Sequence, residues 1–198
     1  VAAPIDIGPL AAFGLLVISG VLVTLTADWR LALAAAAGQY VAVAMLLRTV
    51  ASDTLAWVYI VVGGLACLIL FLGRRAQRPG RTEPNIGMAF RVAVLLLALL
   101  IAGLASTLWP LPFATEFISL ACFTLAALFA AQVILYQEPM RVGLGLLFLL
   151  SGVALYEQSA EGSLLLAAWA AVGHLLVSLA AGYLQTFWRR PEALEEKQ

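Results

Sequence analysis

Charge is what this sequence has least of. Only 11% of its 198 residues are Asp, Glu, Lys or Arg, where a soluble domain carries roughly 25%. That deficit excludes a water-soluble fold and leaves no basic face for nucleic acid. Histidine occurs once, at His174, and cysteine twice, at Cys67 and Cys122. Neither cysteine has a partner at metal-ligand spacing, so both read as packing residues within apolar runs. There is no phosphate-binding loop, no nucleophile beside a base and no ligand cluster, so no catalytic residue, metal or cofactor is expected. Alternating barrel strands are missing as well. No basic segment precedes the first apolar run, which therefore reads as a span and not as a cleavable signal.

What remains is hydrophobic: 64% of the chain, in long uncharged runs. Seven spans can be read, at roughly 7–26, 31–50, 55–72, 90–108, 115–136, 142–156 and 164–186. Each must satisfy its own backbone hydrogen bonds in lipid, so each is expected to be a helix. The sixth is the shortest. It crosses only if Arg141 snorkels at one end and Tyr156 sits among the headgroups at the other. The expected fold class is all-α, a polytopic membrane protein.

The basic residues are unevenly placed. With seven spans, Arg30, Arg74, Arg75, Arg78, Arg81, Arg91, Arg141, Arg189, Arg190 and Lys197 fall on one side, and Arg48 alone on the other. Basic loops stay in the cytoplasm, so the N-terminus is expected outside and the C-terminus inside, in the cell (inner) membrane. Arg30, Arg48, Arg74, Arg75 and Arg141 are candidate interfacial residues, touching lipid headgroups or a partner. Arg48 either snorkels or pairs with Asp53 across its turn. Glu116 opens the fifth span, where an acid suits the helix dipole.

Two stretches run in parallel: "TADWRLALAAAAGQYVAVAMLL" and "YQEPMRVGLGLLFLLSGVALYE". Each holds an acidic turn, an arginine and a helix rich in small residues. Each leads to a short polar loop and a third span that ends on paired arginines. Spans 1–3 and 5–7 thus read as two three-helix copies in the same orientation, with span 4 as a connector. The domains on this reading are 1–75, 76–112 and 113–198, the middle one holding a basic cytoplasmic loop and the connector. Gly143, Gly145 and Gly152 let the sixth helix approach its neighbours closely, since packing drives association in lipid.

The Arg141 turn, the helix "RVGLGLLFLLSGVALYE" and the closing helix from Leu164 to Arg190 resemble the small K-type subunit of respiratory complex I. The C subunit of Mrp-type antiporters and the E-type membrane subunit of group 4 hydrogenases are similar. The resemblance covers the C-terminal copy well and the N-terminal copy loosely. It implies a structural subunit of a redox-linked ion-translocating membrane arm, packed against larger antiporter-like subunits and lipid, with no catalytic site of its own. The family carries buried glutamates in its second and third helices. Ten residues after the arginine, this chain has Ser151 in one copy and Tyr40 in the other. In the third helices it has His174 and the pair Gly63–Gly64.

His174 is the one ionisable group near the middle of a span. It is read as a packing hydrogen-bonder, a proton-relay candidate, or a metal or haem ligand. Two further readings stand beside the subunit. One is a small free-standing transporter or channel. The other is an accessory subunit of another energy-converting complex, for example a photosynthetic one.

Overall fold

In a computed structural model, described over residues 7–75 and 87–187, the chain forms seven α-helices and, among those residues, no strand. They are α1 (Ile7–Leu25), α2 (Trp29–Leu47), α3 (Asp53–Arg75), α4 (Met88–Leu108), α5 (Glu116–Leu135), α6 (Pro139–Ala160) and α7 (Leu164–Phe187). All seven are long and apolar enough to cross a membrane. The exterior is correspondingly oily. Leu96, Leu97, Leu100, Ile101 and Leu104 of α4 are all exposed, as are Trp169, Val172, Leu176 and Leu179 of α7. A patch of that extent is untenable in water and suits hydrocarbon. The chain is an all-α multi-pass membrane protein.

Local chemistry sets the helix ends. The Asp28 side chain accepts from the Arg30 N–H at 2.8 Å and starts α2, and Thr115 accepts from Ile118 and starts α5. Pro139 occupies the first turn of α6, where its missing N–H costs nothing. The sixth helix ends before Gly162, whose φ of 61° no other residue adopts so easily.

Two boundaries correct the sequence reading. The sixth helix is not short. It has 22 residues, about 33 Å at the helical rise, and needs no snorkelling arginine to cross. The fourth helix starts at Met88, two residues before the span read from the sequence, and its Arg91 is buried. The basic loop's Arg78 and Arg81, and Arg189, Arg190 and Lys197 of the tail, lie outside the described residues.

Consecutive helices pack on each other within each group of three. Across the groups, α1 meets α5, α2 meets α6 and α3 meets α7, while α4 lies at the margin against α5 and α1. Glycine sets the tightest approaches. A Cβ at Gly143 would fall 2.5 Å from the Ala181 Cβ of α7, and one at Gly145 would fall 2.8 Å from the Gln132 Cβ of α5. At Gly152 it would meet the Leu125 Cβ at 3.3 Å. The three glycines of α6 therefore face α5 and α7 of the same chain. The core lies along the inner faces of α1, α2, α5 and α6, where Leu16, Leu46, Leu125 and Phe148 are fully enclosed.

Candidate functional site

Two polar assemblies lie within this apolar bundle. The first is at mid-membrane, between α3, α6 and α7. His174 is completely buried. Its Nδ1 lies 2.7 Å from the Ala170 carbonyl. A carbonyl only accepts, so in the neutral ring Nδ1 carries the hydrogen and Nε2 presents a lone pair. Two hydroxyls face that lone pair: Tyr59 Oη at 3.3 Å and Ser151 Oγ at 3.4 Å. Each hydroxyl has a single hydrogen: Tyr59 can give its to Ser151 at 2.5 Å and Ser151 its to the Leu147 carbonyl at 2.8 Å, or one of them can turn its hydrogen to Nε2 instead. One small cluster thus ties three helices together without a formal charge.

Tyr40 of α2 completes the setting. Its ring lies 5.7 Å from the imidazole and 5.4 Å from the Tyr59 ring. Gly63 makes the space, since any Cβ there would overlap the Tyr40 ring. Of the positions picked out by register, Tyr40, Gly63, Ser151 and His174 converge on one place, while Gly64 faces outward. Tyr59 was missed. It lies in the second turn of α3, where a tyrosine reads as an interfacial anchor. The signal available was its neighbour: Trp57 points outward, fully two-thirds exposed, so a residue two places on faces away from lipid.

Beside Tyr59, between α3, α6 and α7, runs a cleft of about 30 Å³, room for roughly two waters. Glu157, Gln158 and Ala170 also line it. Gln158 donates to the Ser163 carbonyl at 3.1 Å, and its Oε1 has no partner among the described residues.

The second assembly lies at the membrane face that holds Arg30 and Arg74. Here the Arg141 guanidinium turns into the bundle instead of out to headgroups and is only 4% exposed. It donates to the Val23 carbonyl at 2.6 Å and the Thr26 carbonyl at 2.7 Å. Tyr136 donates to the Thr24 carbonyl at 2.5 Å and Arg91 to the Leu25 carbonyl at 3.3 Å. These are the carbonyls that a helix end leaves without an internal partner. Three side chains from α4, α6 and the α5–α6 turn thus cap α1, and two of them bring positive charge to the negative end of its dipole. The Arg141 guanidinium also lies 5.0 Å from the Tyr136 ring centre.

Next to this cap, Arg74 at the end of α3 pairs with Glu138 at the start of α6. Gln185 of α7 donates to Glu138 at 2.8 Å and accepts the Met140 N–H at 3.1 Å. On the opposite face, Arg48 and Asp53 do meet, at 2.7 Å, but both are more than 60% exposed, so the pair contributes little. Arg30 and Arg75 are exposed.

Among the described residues no three His, Cys, Asp or Glu side chains gather to hold a metal ion. Cys122 instead donates to the Gly152 carbonyl at 3.3 Å, inside the α5–α6 contact. Comparison with protein-family profiles, with curated proteins and with solved structures finds no match.

Proposed function

We propose that the chain is a scaffold subunit of a larger ion-translocating membrane assembly. The kind meant is the membrane arm of complex I-type oxidoreductases, group 4 hydrogenases and Mrp antiporters, whose K-type subunit its C-terminal copy resembles. The observation that carries this reading is the meeting of Ser151 and His174 at 3.4 Å in the bundle interior. These are the positions at which the K-type subunit places buried acids. In the C-terminal copy these regions hold hydroxyl and imidazole in place of carboxylates. A neutral cluster binds helices together, whereas a relay across the membrane needs further titratable groups above and below it.

Purification in mild detergent tests the reading. The expected result is a stoichiometric complex with larger antiporter-like subunits. A monodisperse monomer that by itself moves an ion into liposomes would overturn it.

The same reading sets the face with Arg30, Arg74 and Arg141 in the cytoplasm of a cell membrane, following the bias of basic residues. In a variant lacking Cys67 and Cys122, a cysteine at Ser159 is then labelled by an impermeant thiol reagent from outside the cell, and one at Gln137 is not. The reverse pattern inverts the topology.

A further inference from the structure

Gly64, like Gly14 and Gly103, is a helix glycine that no neighbour requires, and it lines a surface groove. A side chain there would meet nothing within 4 Å, yet the residue sits midway along α3. Glycine in a helix interior is unfavourable by about 1 kcal/mol relative to alanine, and the fold uses this one for no contact of its own. What it leaves is a groove of about 520 Å³ on the outer face of α2 and α3. Ala34, Gly64 and Cys67 lie along it, with Leu33, Leu68 and Phe71 beside them. From Phe71 to Gly64 the groove extends about 10 Å along α3, from the end of the bundle to its middle. That is most of one leaflet's half of about 30 Å of hydrocarbon, and it stops short of the other leaflet.

The end of the groove at the membrane surface is charged. Arg30 lines it. Its guanidinium is set 5.4 Å from the Trp29 ring centre, and Trp29 in turn lies 5.5 Å from Phe71 of α3. The aromatic pair therefore fixes the cation at headgroup height, the level that tryptophan prefers. Among the described residues Arg30 forms no salt bridge. Asp28 is close in sequence, but its carboxylate accepts from the Arg30 backbone N–H and starts α2. The guanidinium fork remains available to a phosphate, whose geometry it matches.

We propose that this groove is a binding site for one anionic phospholipid of the leaflet at the Arg30 face. The phosphate sits on Arg30, and one acyl chain lies over Ala34, Gly64 and Cys67. A transmembrane helix of a partner fits less well. It would run past the midplane, where the groove ends. The inference is independent of the assembly reading above, because it concerns an outward face of α2 and α3 and needs no other subunit.

The test is native mass spectrometry of the full chain released from nanodiscs holding phosphatidylglycerol and phosphatidylcholine in equal amounts. The wild type is expected to keep phosphatidylglycerol in preference. Arg30→Gln is expected to lower the ratio of anionic to zwitterionic lipid about fivefold. Gly64→Leu fills the groove, so it should lose retained lipid of both kinds while its melting temperature does not fall. A wild-type ratio near one, an Arg30→Gln ratio equal to the wild type's, or a folded Gly64→Leu that keeps its lipid overturns the site. So does a partner peptide retained in place of lipid. Should Gly64→Leu fail to fold, the Arg30→Gln ratio decides alone.

Discussion

The two buried polar assemblies solve one problem in opposite ways. Around α1's C-terminus the chain brings in formal charge: Arg141 and Arg91 on orphaned carbonyls, with Arg74 against Glu138 close by. At mid-membrane it uses none: Tyr59, Ser151 and His174 share neutral hydrogen bonds. The difference follows depth and supply. A helix end offers a cluster of negative carbonyl ends that repay the desolvation of a guanidinium. The middle of a helix has its carbonyls already engaged, so a charge there would have nothing to meet. The charged layer locks α1 to α4 and α6. The neutral cluster links α3 to α6 and α7 with bonds that are individually modest.

The largest expected effect comes from breaking the charged layer. Arg141→Met keeps most of the side-chain volume but leaves the Val23 carbonyl buried, and the Thr26 carbonyl half-buried, without donors. At about 1–3 kcal/mol for each unsatisfied buried group, the loss is expected to be ~3–5 kcal/mol. It would be read as a lower thermal denaturation midpoint in nanodiscs and a lower yield of folded protein. Arg141→Lys should recover only part, because one ammonium cannot reach both carbonyls as the fork does. A fully stable Arg141→Met would show that the α1 cap is dispensable and erase the contrast between the two assemblies.

That cap also marks where the sequence stopped being informative. Hydropathy located all seven helices, because lipid demands long apolar helical runs. It misplaced the sixth. Glu157 and Gln158 look like loop residues, yet Gln158 is buried in the last turns of α6. Pro139 looks like a turn and is the helix's opening residue. Arginine position predicts which face of the membrane a residue belongs to but not which way its long side chain turns. For Arg141 the answer depends on the free carbonyls of α1, more than a hundred residues earlier in the chain. At the neutral cluster, register brought Tyr40, Ser151 and His174 to notice. Tyr59 stayed hidden because a tyrosine near a span end has an ordinary explanation as an anchor, and its contact with Ser151 spans 92 residues of sequence.

A smaller effect sharpens the comparison from the other side. Tyr59→Phe removes one hydroxyl and nothing else. Ser151 still donates to the Leu147 carbonyl, and His174 Nδ1 still donates to Ala170. Side-chain hydrogen bonds between membrane helices average about 0.6 kcal/mol and reach about 1.7 at most, so Tyr59→Phe is expected to cost ~0.5–1.5 kcal/mol. A double-mutant cycle with Ser151→Ala isolates the Tyr59–Ser151 bond, since the two side chains touch directly. The coupling should fall within that same range, several-fold below the Arg141→Met loss. A coupling of 3 kcal/mol or more (on the order of the largest values seen for side chains in one network) would mean that the neutral cluster holds the bundle as firmly as the ionic layer does. Depth would then no longer explain why this chain uses charge at one level and hydroxyls at the other.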